Sequence, residues 1–421
     1  MANNYDLKPL TQVCEVLSGG TPKTSVNEFW KGNIPWASVK DFNINSRWFS
    51  KTEKSITQLG LDNCSSALLE AGELVISARG TVGVVAQCTM STAFNQSNYG
   101  IRAKSSLTNN NYLFYALTHA KRDLLEDTHG GMFDTITRDT LDRLLIPVPP
   151  LKIQEKIAEV LGSFDEKIAL NIAQSKTLED IAQTIFRSWF IDFDPVKAKI
   201  AGQKPEGIDE VTAELFPCSM EESELGLIPL GWRVEKFGDT NNLLMGQSPP
   251  GDTYNTLGEG LPFYQGRTDF GFRFPKERIF CTRENRVALP GETLVSVRAP
   301  VGDLNQAINK CIIGRGVASA MHKSKSSAYT FSLLKSLYPK LAYFNGEGTV
   351  FGAINRSDFN DILVVEPPAA LVDSFEAICG PMNEMIRNLF VSTETLTQIR
   401  DSLLPRLISG ELHIPNEILA S

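Results

Sequence analysis

Histidine is scarce in this sequence, four in 421 residues, and none is spaced with another His or Cys as metal ligands are. A metal site is therefore not expected. The seven cysteines, Cys14, Cys64, Cys88, Cys218, Cys281, Cys311 and Cys379, are odd in number and widely spaced, with no C-x-x-C pair. That argues against a disulfide framework and fits a reducing cytoplasm. No uninterrupted apolar stretch approaches ~18 residues, so no membrane span is expected. The opening Met1-Ala2-Asn3-Asn4-Tyr5-Asp6 has no basic segment leading into an apolar run, so no signal peptide is expected. A G-x-x-x-x-G-K-S/T phosphate loop is also missing, so ATP-driven motion is not encoded here. Gly346, Gly348 and Gly352 give G-x-G-x-x-x-G, which misses the dinucleotide fingerprint and lacks its strand–helix context.

What remains is an ordinary globular composition, 42% hydrophobic and 21% charged, long enough for two or three domains. The net charge of −8 is unevenly spread. Pro262 to Lys340 carries 13 Lys and Arg against 5 Asp and Glu, while Asp209, Glu210, Glu214, Glu221, Glu222 and Glu224 crowd one acidic segment. Such a distribution suits a chain that grips a polyanion with one face and meets proteins elsewhere. It is also compatible with ordinary surface charge.

The chain is written twice. Gly72-Glu-Leu-Val-Ile-Ser-Ala-Arg79 and its turn at Gly83 recur 219 residues later as Gly291-Glu-Thr-Leu-Val-Ser-Val-Arg298 and Gly302. Phe133, Ile136 and Arg138 recur as Phe351, Ile354 and Arg356, and Pro149-Pro150 as Pro367-Pro368, each 218 residues on. Gly19-Gly20-Thr21-Pro22 matches Gly246-Gln247-Ser248-Pro249 at 227. A period of this length is a duplicated domain, not a solenoid repeat. Short apolar runs (Leu74 to Ile76, Val82 to Val85, Leu294 to Val297) read as strands, and Asn111 to Leu125 and Ala328 to Leu337 as short helices. Each copy is thus a mixed α/β globule.

After each Pro-Pro the periodicity changes. Ile157, Phe164, Asn171, Leu178 and Ile185 interlock with Leu161, Ile168, Ser175, Ala182 and Trp189. The second copy has Leu371, Ile378, Met385, Ser392 and Ile399 with Phe375, Met382, Leu389, Leu396 and Leu403. Two apolar rows held over four heptads predict long helices, and two matched stripes predict that they bury against each other. The first, from Lys152 to Phe190, would be roughly 58 Å long. Asn171 and Ser175 interrupt its seam, either to set register or as tolerated positions.

These features resemble the specificity subunits of type I restriction–modification systems over essentially the whole chain. The residues that carry the resemblance are Leu17-Ser-Gly-Gly-Thr-Pro-Lys-Thr24, Gly32-Asn-Ile-Pro-Trp36 with Lys40-Asp41, and Ile146-Pro-Val-Pro-Pro-Leu-Lys-Ile-Gln154. Phe186-Arg-Ser-Trp-Phe-Ile-Asp-Phe193 and Ser223-Glu-Leu-Gly-Leu-Ile-Pro-Leu-Gly-Trp232 extend it. The second copy, Glu366-Pro-Pro-Ala-Ala-Leu371, departs by lacking the counterpart of Gln154.

The resemblance implies an α+β chain. Two homologous mixed α/β target recognition domains are joined by two long antiparallel coiled-coil helices with pseudo-twofold symmetry. Expected boundaries are 1–150 and 225–368 for the recognition domains, and 151–195 and 369–412 for the helices. An acidic linker at 196–224 and a tail at 413–421 complete the chain. The implied role is non-catalytic and cytoplasmic: reading a bipartite asymmetric site on double-stranded DNA while scaffolding two adenine methyltransferase subunits and motor–nuclease subunits. No cofactor is expected on this chain, and S-adenosylmethionine, ATP and Mg would belong to the partners.

Lys and Arg supply phosphate contacts, whereas Arg, Asn and Gln read base edges. Basic residues interleave with aromatics around Arg267, Arg273, Lys276 and Arg278, and around Lys23, Lys40, Arg47 and Lys51. With Gln247 and Arg315 they form the expected DNA-binding set. Arg79 and Arg298, at one repeat position, either contact phosphate or bond turn carbonyls. The aromatics themselves read chiefly as core. Phe186, Trp189 and Phe190, closing the first helix, are expected partner-binding residues. Two alternatives stand beside this reading. A single-chain restriction–modification enzyme would need Asn/Asp-Pro-Pro-aromatic to hold a flipped adenine, and the Pro-Pro pairs here follow Ser248, Val148 and Glu366. A coiled-coil adaptor that never touches DNA would leave two basic globules without a task.

Overall fold

The computed structural model describes residues 5–42, 46–121, 135–345 and 352–415. The chain forms two compact units, Met1–Asn171 with Ser392–Ser421, and Ile172–Val391. In the first unit the strands β1 (Cys14–Ser18), β2 (Trp30–Ala37), β3 (Leu74–Ser77), β4 (Val85–Cys88), β5 (Thr92–Phe94) and β6 (Asn98–Ala103) build two sheets. One sheet runs β1-β6-β3-β4 and ends on the short strand Trp48–Phe49, parallel to β4, and in the other β2 lies parallel to β5. All four residues of β3 are buried, as an uninterrupted apolar run in a central strand requires. Helix α1 (Asn110–His119) starts at Asn109, whose side chain accepts the Tyr112 N–H at 2.8 Å. Helix α2 (Leu151–Phe190) follows Pro149-Pro150.

The second unit repeats the plan. Strands β7 (Asn241–Met245), β8 (Leu261–Tyr264), β9 (Thr293–Ser296), β10 (Leu304–Gln306), β11 (Cys311–Ile313) and β12 (Val317–His322) precede α3 (Ser327–Ser336) and α4 (Ala369–Ile408). One sheet runs β7-β12-β9-β10, and β8 lies parallel to β11 in the other. The duplicated Ser turn is repeated atom for atom. Gly83 N–H donates to Ser77 O and Gly302 N–H to Ser296 O, both at 2.9 Å. The Ser77 hydroxyl accepts from Val84 N–H and that of Ser296 from Asp303 N–H, again both at 2.9 Å. Gly83 (φ +76°) and Gly302 (φ +100°) take the left-handed backbone the turn needs. Val82 to Val84 therefore belong to this turn, and the strand expected from Val82 begins at Val85. The ends of two expectations, residues 122–125 of the first short helix and the Phe133 and Phe351 pair, lie outside the described residues, as do Gly346 and Gly348.

Within the first unit, Ile157 and Leu161 of α2 share a core with Leu407 and Ile408 of α4. Asp165 pairs with Arg400 at 2.6 Å, and Asn171 Nδ2 donates to Ser392 Oγ at 3.2 Å. Asn171 thus bonds across the seam it interrupts. Within the second unit, Phe375 of α4 packs on Phe186 and Phe190 of α2, with ring centres 5.7 and 5.6 Å apart. In both units rising numbers on α2 meet falling numbers on α4, so the pairing is antiparallel. Each helix has 40 residues, about 60 Å. The heptad rows expected for α4 do not hold throughout. Met385 is 55% exposed and Ile399 41%, while Ile386 is buried. A straight helix of 3.6 residues per turn drifts off a seven-residue repeat, and the buried stripe steps over by one residue.

The two helices are also tied to their globules differently. Gln154 accepts from Thr108 Oγ1 and donates to Leu107 O and Pro149 O, each at 2.8 Å. The second copy, which lacks this glutamine, uses Glu376 instead. Its carboxylate accepts the Ala328 and Tyr329 N–H groups at 3.0 and 3.2 Å, capping α3, whose own N-cap Ser326 makes no side-chain capping bond. Among the described residues no helix is long and apolar enough to cross a membrane.

Candidate nucleic-acid interface

In each unit the two sheets deliver loops to one place. In the first, β1 and β3 end and β6 begins at the same sheet end, since Tyr99 pairs with Ser18 and Asn98 with Ser77. The parallel pair β2 and β5 also finishes there. The connection Asn95–Ser97 crosses from one sheet to the other and is held on three sides. Gly20 N–H donates to Phe94 O, Asn95 N–H to Ala37 O and Ala78 N–H to Ser97 O, at 2.9, 3.0 and 2.8 Å. Gly19 lies so close that a Cβ there would stand 2.0 Å from Asn95 O, which is why this strand ends in glycine.

The second unit reproduces the junction. Gln247 N–H donates to Ile313 O, Gly314 N–H to Tyr264 O and Val297 N–H to Gly316 O, at 3.0, 2.9 and 3.0 Å. A Cβ at Gly246 would meet Gly314 O at 2.2 Å. The scaffold is the same, but the side chains carried on it are not. Gly20, Thr21, Ser38, Arg79 and Gln96 of the first junction correspond to Gln247, Ser248, Gln265, Arg298 and Arg315 of the second. Arg79, Gln96, Gln247, Gln265, Arg298 and Arg315 are all exposed.

Of the expected DNA-binding set, Arg79 lies at the first junction, with Lys23 two residues beyond Thr21. Gln247, Arg298 and Arg315 lie at the second, where Arg267 pairs with Asp303 at 2.8 Å while half exposed. Arg79 and Arg298 bond no turn carbonyl among the described residues; the Ser77 and Ser296 hydroxyls do so. Lys40 borders a hollow of about 240 Å³ with Trp36, Ser38, Asp41, Glu53 and Lys54. Lys51 and Lys276 are exposed, and Arg278 pairs with Asp269 at 2.8 Å. The aromatics are mostly core, with Phe272 left 53% exposed. Gln96, Ser38 and Gln265 went unrecognised in the sequence. Counting on from each copy's Gly-Pro turn would have found Ser38 and Gln265, and counting on from Arg79 and Arg298 would have matched Gln96 to Arg315.

Two of the expected DNA-binding residues are corrected by the structure. Arg47 and Arg273 are only 8% and 5% exposed and face inward. Arg47 donates to Gln87 Oε1 and Asn111 Oδ1 at 2.7 Å and to Tyr115 OH at 3.1 Å. Tyr115 in turn donates to Asp165 of α2 at 2.5 Å; burial and the neighbouring carboxylate push its phenol well above the usual tyrosine range. The Arg273 guanidinium lies over the Phe331 ring, donates to Asn383 of α4 at 2.5 Å and approaches Glu179 of α2 at 3.8 Å. Burial draws it down to about 10, against the pull of Glu179, so it stays charged at neutral pH. The partner-binding expectation for Phe186, Trp189 and Phe190 is corrected too. They are 1%, 4% and 3% exposed and pack on Tyr329, Phe375, Phe216 and Trp232 in the second unit's core. An aromatic-rich helix end finds its cover within the unit, leaving little surface for a partner.

Residues 3–180 match the type I restriction modification DNA specificity domain. The MjaIX type I restriction enzyme specificity subunit of Methanocaldococcus jannaschii is 28% identical over 98% of this chain and 94% of its own. Along nearly its whole length the chain is similar to type I restriction enzyme specificity subunits. The HindI specificity subunit of Haemophilus influenzae is 26% identical over 69% of the chain and 73% of its own length. A type I S subunit from M. genitalium has a similar fold, with a TM-score of 0.57 over 98% of this chain and 97% of that one, at 15% identity. The domain matched at residues 3–180 is a DNA specificity domain, and the mixed α/β units with two long helices are the architecture the sequence predicts.

Proposed function

We propose that this specificity subunit reads a bipartite, asymmetric DNA site, one half at each loop junction, while it scaffolds two methyltransferase subunits and motor–nuclease subunits. The observation that carries the reading is the pair of superposable junctions bearing different side chains. One scaffold makes both suited to the same job, a donor- and acceptor-bearing edge presented to a DNA groove. Divergence at Gln96 against Arg315 and at Gly20 against Gln247 makes the two half-sites different. Arg315 is suited to guanine and Gln96 to adenine, by the geometry of bidentate pairing. Arg79 and Arg298, at equal positions in both, suit phosphate contacts that set register. S-adenosylmethionine, ATP and Mg are assigned to the partner subunits, and the complex to the cytoplasm. The proposed domain limits remain 1–150 and 225–368 for the two readers, with 151–195 and 369–412 as the long helices.

Exchanging residues 1–150 for those of a related subunit, then mapping methylated adenines genome-wide in a host carrying the partner genes, tests the reading. One half of the methylated motif should change and the other persist. A change in both halves, or in neither, overturns it.

A further inference from the structure

Arg47 and Arg273 occupy one structural position: Gln87 N–H donates to Arg47 O and Gln306 N–H to Arg273 O, both at 2.9 Å. Each is the buried charge through which a globule reaches both long helices of its unit. In the first unit the route runs from Arg47 through Tyr115 to Asp165 of α2, which Arg400 of α4 pairs at 2.6 Å. In the second unit Arg273 itself meets Glu179 of α2 and Asn383 of α4, and Lys335 of α3 closes on the same Glu179 carboxylate. Gly162 in α2 leaves room for the first clamp, since a Cβ there would stand 3.2 Å from Arg47 Nη1. A surface ion pair would be cheap to break and weak as a hinge stop. These pairs are buried, and removing one partner strands a charge, so each globule is held to a single seating on its helices.

We propose that the Arg273–Glu179–Lys335 clamp is a positioning device that sets which separation between half-sites the subunit accepts. The inference rests on the bipartite reading above and adds to it a determinant that touches no DNA. A reader free to tilt on its helices would reach half-sites at neighbouring separations. A clamped one rejects them, because the displacement would break the Asn383 hydrogen bond to a buried guanidinium and draw it away from Glu179.

The test uses the full chain co-expressed with its methyltransferase partner, with methylated adenines mapped across the host genome. Wild type should return one bipartite motif with one spacer. If it returns no bipartite motif, the functional reading fails, and the clamp proposal with it. The double substitution Arg273→Met with Glu179→Gln removes both buried charges together and leaves only Lys335, 37% exposed, without its partner. It should keep both half-site sequences while raising methylation at spacers one base pair longer or shorter about tenfold. Wild-type strictness, or loss of all methylation in a protein that melts as wild type does, overturns the clamp. Should the double variant fail to fold, Lys335→Met decides, because that side chain is 37% exposed and its loss is tolerable. The same relaxation at smaller amplitude supports the clamp; unchanged strictness overturns it. A purely structural role would lower melting temperature and leave the spacer distribution untouched.

Discussion

Replacing Gly246 by alanine puts the loop junction under a measurable load. The new Cβ would stand 2.2 Å from Gly314 O and 2.5 Å from Val317 O, where ordinary contact begins at 3.4 Å. Both obstacles are backbone atoms, so the Gly314–Gly316 connection must retreat by about 1 Å. Overpacking of this kind costs roughly 1–3 kcal/mol, which lowers the melting temperature of a unit this size by about 2–12 °C. The same retreat carries Arg315 away from its seat. If that side chain reads a base, cognate affinity falls by the roughly 1–3 kcal/mol of a bidentate pair, about 5- to 150-fold. Fluorescence anisotropy on duplexes with either half-site scrambled localises the loss. It should fall on the half read by the second unit, while Gly19→Ala, aimed at Asn95 O from 2.0 Å, should injure the other half. Gly251→Ala, which meets nothing within 4 Å, is the control. Undiminished affinity of the Gly246→Ala protein for the intact site would refute the junction as reader.

Further expectations concern single residues. Arg298→Ala should weaken binding to cognate and scrambled duplexes alike and reduce the slope of log K against log salt by about 0.9; an unaltered slope in a salt titration removes Arg298 from the phosphate contacts. Phe186→Ala, emptying a site 1% exposed, should destabilise the second unit by about 3–5 kcal/mol in urea unfolding, and a near-neutral result would contradict its place in the core. Burial holds the Glu376 carboxyl above the ordinary glutamate range, partly offset by the Ala328 and Tyr329 N–H groups. A raised folded-state value means the native protein binds this proton more readily than the unfolded chain. Its stabilising increment is therefore complete below the ordinary glutamate range and is lost as pH rises through the folded value. The stability of wild type relative to Glu376→Gln should accordingly rise as pH falls from neutral toward about 5; a pH-independent difference would count against the burial argument.

Much of the architecture was legible because duplication leaves paired residues. Gly83 with Gly302 and Ser77 with Ser296 announced one turn twice, and the rows after Pro150 and Pro368 announced the helices. Charge was where legibility failed. Arg47 and Arg273 sit among aromatics and lysines, as DNA-facing residues do. Nothing nearby in sequence reveals that Asp165 and Glu179, about a hundred residues away, await them. Phe186 misled for the same reason, because an apolar helix end looks unpartnered until Phe375 is placed against it. Glu376 shows a third case, in which a missing motif residue, the counterpart of Gln154, is replaced by a different group one turn along the helix.

The first unit is assembled from two stretches of chain separated by all 220 residues of the second. Leu403, Leu404, Leu407 and Ile408, which complete its core, emerge from the ribosome after the whole of the second unit. The contiguous second unit can therefore finish folding first, although its sequence comes later than most of the first. Until residues 392–415 arrive, Ile157 and Leu161 stand without their cover, a waiting period in which a nascent chain would be open to capture by chaperones or proteases.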